Sequence, residues 1–164
     1  MSQINAVDPS RMGQRLLLIL HPKHFHPLTE QAFDLTMPED CLMADPDWVR
    51  AVNHVRVDQL YDFYRDVRGV RTRRLIVEID GASHNKRRQL RDEEKRRRLE
   101  IKHPDTELLV LYYQTYSKKL ALEKANLIMV KVKTMVQRYG YSPMAPREGI
   151  PWTNTVRELG QRGP

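Results

Sequence analysis

A chain of 164 residues, 40% apolar and 30% charged, is expected to form one soluble domain with a substantial core. Its formal charge of +7 favours an anionic partner, nucleic acid ahead of a membrane, and its longest apolar run, Leu16-Leu17-Leu18-Ile19-Leu20, is far short of the ~20 residues that span a bilayer. The single cysteine, Cys41, excludes an internal disulfide framework and fits a reducing cytoplasm, and with only six histidines beside it a structural zinc site is not expected.

Residues 1–13 read as a polar, mobile N-terminal segment without a signal-peptide pattern, residues 14–140 as the α/β domain, and residues 141–164 as a tail containing Pro143, Pro146 and Pro151. Arg15 to Leu20 suits a short buried strand. His21 to Asp47 carries four prolines and reads as irregular, with a short helix from Thr29 to Leu35 capped by Thr29. His21, His24 and His26 fall in this loop without helical spacing or a fourth ligand, so they read as loop composition. From Trp48 to Asp66 the apolar pattern fits a helix and a strand equally.

After a turn at Arg68-Gly69-Val70-Arg71, the β-branched run from Arg73 to Asp80 predicts a strand closed by Gly81. Ser83 suits the N-cap of a helix from about His84 to Lys102, with Leu90, Leu99 and Ile101 as its narrow apolar stripe. Thr106 to Tyr113 predicts a second buried strand. Ser117 opens a helix running to Tyr139, with Leu120, Leu127, Val130 and Val136 near one face and Gly140 beyond its end. A last short helix is expected at Thr155 to Leu159. Strand, helix, strand, helix is an α/β order.

The chemistry concentrates where the first of these strands meets its helix. Alternate strand residues share a face, so Glu78 and Asp80 project together while Val77 and Ile79 point away. Paired carboxylates suit a hard divalent cation such as magnesium, which takes one or two carboxylates together with water and phosphate oxygens. A solvated strand end is the competing reading. A further carboxylate is expected from Asp62 or its rival Asp58. His84 suits a proton shuttle or a phosphate contact. From Lys86 to Lys102 there are nine Lys/Arg against four Asp/Glu, and Arg88, Arg91, Lys95 and Arg98 fall on one helical face. That face can meet a phosphate backbone, although acids at i,i+4 spacing also allow a solvated, self-paired helix.

Tyr61-Asp62-Phe63-Tyr64, then Leu75-Ile76-Val77-Glu78-Ile79-Asp80-Gly81-Ala82-Ser83-His84, then Gln89-Leu90-Arg91-Asp92 and Leu99 resemble the PD-(D/E)XK nuclease superfamily, closest to small domains related to the very-short-patch repair endonucleases. The resemblance covers roughly residues 55–135, about half the chain. It implies a restriction-endonuclease-like mixed β-sheet flanked by helices, magnesium as cofactor with manganese as a substitute, and phosphodiester hydrolysis, with DNA ahead of RNA as the expected nucleic acid. Asp62 matches the first acidic motif, Glu78 the second, His84 the histidine of the glycine-containing variant, and Arg91-Asp92 the supporting pair.

Asp80 stands where the superfamily's lysine usually sits, leaving Lys86 or Lys95 to substitute from the helix. The resemblance and the paired strand carboxylates together give an expected metal set of Asp62 (or Asp58), Glu78 and Asp80, with Asp62, Glu78, Asp80, His84 and Lys95 as the expected catalytic residues. From the basic run, Lys86, Arg88, Arg91, Lys95 and Arg98 are expected to bind nucleic acid, and cutting both strands would favour a homodimer. The absent motif lysine keeps a second expectation open, a nuclease-fold protein without activity that binds nucleic acid. A third is an interaction subunit whose basic helix meets an acidic partner.

Overall fold

The computed structural model describes residues 25–66, 68–80, 86–112 and 117–145. The expectations for residues 1–13, Arg15 to Leu20, His21, His24, Ser83, His84 and Thr155 to Leu159 lie outside the described residues. In chain order the elements are β1 (Gln31–Asp34), a 3-10 turn (Pro38–Leu42), α1 (Pro46–Val52), β2 (His54–Val57), β3 (Gln59–Tyr64), β4 (Arg71–Asp80), α2 (Lys86–Lys102), β5 (Thr106–Tyr112) and α3 (Lys118–Tyr139).

Among the described residues these form a mixed α/β arrangement: a three-stranded sheet in the order β3-β4-β5, an antiparallel pair β1-β2, and three α-helices. β3 runs antiparallel to β4, whereas β5 runs parallel to it, with α2 as the crossover. β4 is therefore central, and its β-branched residues alternate between two cores. Leu75, Val77 and Ile79 join Tyr61, Phe63 and Leu111 against Ala121, Ala125, Ile128, Val132 and Met135 of α3. Ile76 points the other way, packing with Phe33, Leu35, Val57, Leu60 and Leu99 of α2. Each aliphatic side chain so buried contributes about 1.5–3 kcal/mol.

Several local expectations are corrected. Thr29 to Leu35 is not a helix. Gln31 to Asp34 pairs antiparallel with β2, and Phe33 and Leu35 bury on alternate positions, so cross-strand pairing overrides a weak local preference. Pro46 begins a helix rather than breaking one, because Asp45 caps the N–H groups of Asp47 and Trp48 and a first-turn proline has no hydrogen bond to lose. The ambiguous stretch divides into the end of α1 followed by β2 and β3.

On α3, Leu127 and Val130 are exposed, the latter at 60%, and the buried stripe runs through small residues. Ala121 and Ala125 let the helix backbone come close to the sheet. On α2 only Leu99 of the expected apolar stripe is buried, while Leu90 and Ile101 face outward.

The Ser117 hydroxyl accepts the Leu120 N–H at 3.0 Å, as the N-cap reading expects. Gly140 ends α3 at φ 117°. Tyr141 then hydrogen-bonds Tyr64 through main-chain groups, and Ala145 packs into the α3 core, so the first residues after Gly140 are tied to the sheet. A Cβ on Gly140 would collide with the Tyr64 carbonyl, a backbone atom with no room to retreat. Gly140→Ala is therefore expected to destabilise by at least about 1–3 kcal/mol, read as a lower urea midpoint at unchanged slope. Wild-type stability in this variant would contradict the assigned turn.

Candidate active site

The even-numbered face of β4 and the inner face of α2 enclose a cleft of about 470 Å3. Its sheet side carries Glu78 and Asp80, and its helix side Arg88, Arg91, Asp92, Lys95 and Arg96. In the parallel register Glu78 lies beside Val110 and Asp80 beside Tyr112, so the neighbouring strand continues the same face.

Glu78 is the centre of this arrangement. Its Oε1 is buried and has no hydrogen-bond partner among the described residues. Burial pushes its carboxyl up to about 8 from an ordinary 4.5. The Asp58 and Asp80 charges push the same way, while a hydrogen bond from the Asp58 backbone and the charge of Lys95 offset part of the rise. Asp58 sits at the bend between β2 and β3, where its Oδ2 accepts the Ile79 N–H at 2.7 Å and so fixes the end of β4. Asp80 Oδ1 accepts from Arg88 at 3.3 Å across the cleft. Arg91 lines the cleft with a buried Nε that lacks a partner among the described residues.

The structure therefore brings Asp58, Glu78, Asp80, Arg88, Arg91 and Lys95 together. It does not bring Asp62 there. Asp62 pairs across the strands with Arg74, accepting from its Nε at 2.8 Å. Arg74 precedes Glu78 by four residues, ~13 Å along the strand. Lys86 is exposed at the start of α2, away from the cleft lining. Arg98, expected on the basic face, is fully buried: it donates to both oxygens of Asp40, to Glu94 and to the Leu35 carbonyl. Its side chain has no surface to offer a phosphate.

Arg96, His54 and Tyr112 line the cleft without having been singled out in the sequence. Tyr112 is recoverable once β5 is set in register with β4, whereas His54 depends on the β1-β2 pairing.

Among the described residues, no three His, Cys, Asp or Glu side chains are grouped closely enough to hold a metal ion by themselves. The donor chemistry still fits magnesium, since one or two carboxylates suffice when water and substrate phosphates complete the shell. The unpartnered Glu78 Oε1 offers such an ion a lone pair that no described residue takes.

No known protein family, no curated protein and no solved structure matches the chain. Among the described residues no helix is long and apolar enough to cross a membrane.

The raised carboxyl predicts a pH dependence of stability. Between about 4.5 and about 8 the folded protein holds the Glu78 proton that the unfolded chain has lost. The contribution is complete below about 4.5 and disappears as pH rises through about 8. In chelator, urea unfolding at pH 5.5 and pH 8.5 should show the wild type losing on the order of a few kcal/mol relative to Glu78→Gln, which cannot ionise. Identical pH dependences would contradict the buried carboxyl.

Proposed function

We propose that the chain is a magnesium-dependent endonuclease that hydrolyses phosphodiester bonds in DNA, built on a restriction-endonuclease-like sheet. The observation that carries this reading is Glu78, a half-buried carboxyl with one buried oxygen lacking a hydrogen-bond partner among the described residues, flanked by Asp58 and Asp80 and faced across one cleft by Arg88, Arg91 and Lys95. Acid for a cation and base for a phosphate backbone stand on opposite walls of one space.

Glu78 and Asp80 would hold the magnesium, and Asp58, rather than Asp62, is the further carboxylate beside them, fixing the end of β4. Bound there, the ion supplies charge neutralisation at the scissile phosphate and lowers the pKa of water. Arg91 directs a guanidinium at the phosphate, and Arg88 exchanges Asp80 for a phosphate oxygen. Lys95, whose charge already acts on Glu78, occupies the role left open by Asp80 and passes a proton to the leaving oxygen.

Purified protein tested on supercoiled, linear, branched and single-stranded DNA should cleave with magnesium or manganese and fall silent in chelator. Cleavage that persists in chelator would contradict the reading.

One observation favours a second reading, a non-cleaving nucleic-acid-binding protein. Asp80 stands where a motif lysine is expected and is engaged by Arg88. That reading predicts salt-sensitive binding that needs neither metal nor Glu78.

A further inference from the structure

The cleft holds more apolar surface than a phosphate backbone requires. On the sheet side, the half-buried Leu108 and Val110 form a floor, backed by Ile76 and Leu99 of the core beneath. Tyr112 stands at the mouth, 52% exposed and in register with Asp80. The phosphate needs ion pairs, which Arg88, Arg91 and Lys95 can provide, and it gains nothing from an aliphatic floor and a ring. A base does gain, because its faces are apolar and stack on aromatic and aliphatic surfaces.

The strand spacing fits this division. Neighbouring strands lie ~4.8 Å apart, so Val110 and Tyr112 sit one strand step from Glu78 and Asp80. That step is comparable to the reach from a nucleotide's phosphate across its sugar to its base. The cavity volume also falls within the about 300–1,000 Å3 of single small-molecule sites. Bases in a continuous duplex are stacked and present only their edges in the grooves, so their faces cannot lie on this floor.

We propose that the cleft accepts one unstacked nucleotide, its phosphate at the Glu78–Arg91 end and its base on Tyr112 and Val110. The preferred substrate class is then DNA with an unpaired base, either single-stranded or at a branch or frayed end. The inference rests on the nuclease reading of the same cleft, and it names the substrate that reading leaves open. Tyr112 makes the stacking contact and takes no part in the chemistry.

The test is binding in chelator, where cleavage plays no part. The probes are a single-stranded DNA oligonucleotide carrying 2-aminopurine and the matching continuous duplex. The single strand is expected to bind more tightly than the duplex, with quenching of 2-aminopurine fluorescence as the base stacks. Tyr112→Ala should weaken single-strand binding about 5–100-fold and leave duplex binding unchanged.

Tyr112→Trp keeps a ring in place and should retain affinity, and its added indole emission should fall when the oligonucleotide binds. This variant carries the test if the alanine variant fails to fold. Equal affinity for the two probes, or a Tyr112→Trp emission indifferent to the single strand, would overturn the inference. Failure of the nuclease reading would look different: no metal-dependent cleavage, with the Tyr112-dependent stacking intact.

Discussion

Arg98→Ala is expected to destabilise the protein by about 3–5 kcal/mol, the cost of breaking a buried ion pair by removing one partner. Arg98 is fully buried, and its fork reaches Asp40 at 2.7 and 2.8 Å. It also donates to Glu94 one turn earlier and to the Leu35 carbonyl. Through these bonds one guanidinium joins α2, the 3-10 turn and the end of β1.

Truncation leaves the Asp40 carboxylate, only 6% exposed in its side chain, and the Leu35 carbonyl without their partner. The pair shows the expected electrostatic signature, with Asp40 held below its ordinary value by its hydrogen bonds to Arg98 and the Met37 backbone. Arg98→Lys should recover little, because a point ammonium cannot reproduce a two-pronged contact. A domain of this kind has only about 5–15 kcal/mol in total, so the urea midpoint should fall by a large fraction. A change below about 1 kcal/mol would mean that Arg98 is exposed in solution, on the basic face where the sequence alone puts it.

The elements most legible in the sequence were those with strong local signals. Leu75 to Asp80 combined β-branched residues with period-2 alternation, and the same alternation put Glu78 and Asp80 on one face. Ser117 and Gly140 marked the ends of α3 by capping chemistry. β1 was hidden because only Phe33 of its four residues is buried, and its strand character comes from β2, some twenty residues away. Arg98 was hidden for a related reason. Within a charge run it reads as solvated, and Asp40, the partner that buries it, lies 58 residues earlier.

The choice between Asp58 and Asp62 depended on register, which periodicity does not supply. Asp62 opposes Arg74, whereas Asp58 accepts the N–H next to Glu78. Two residues of one type, four apart on one edge, acquire different roles from that pairing alone.

The second large effect is expected at Glu78. Changes in groups that merely orient a metal ligand typically cost 10–100-fold in metal affinity or activity, so losing the central carboxylate should cost at least ~100-fold. Glu78→Gln keeps the shape and removes the charge, and it also relieves the repulsion from Asp58 and Asp80. The variant should therefore be at least as stable as the wild type at alkaline pH, so a loss of activity would not reflect unfolding.

Cleavage of supercoiled, branched and single-stranded DNA by wild type and Glu78→Gln, side by side in magnesium or manganese, tests the central claim most directly. The wild type should cleave only with metal, and a folded Glu78→Gln that still binds DNA should lose at least ~100-fold. Equal cleavage by the two proteins, or none by a wild type that binds DNA without metal, would contradict that claim.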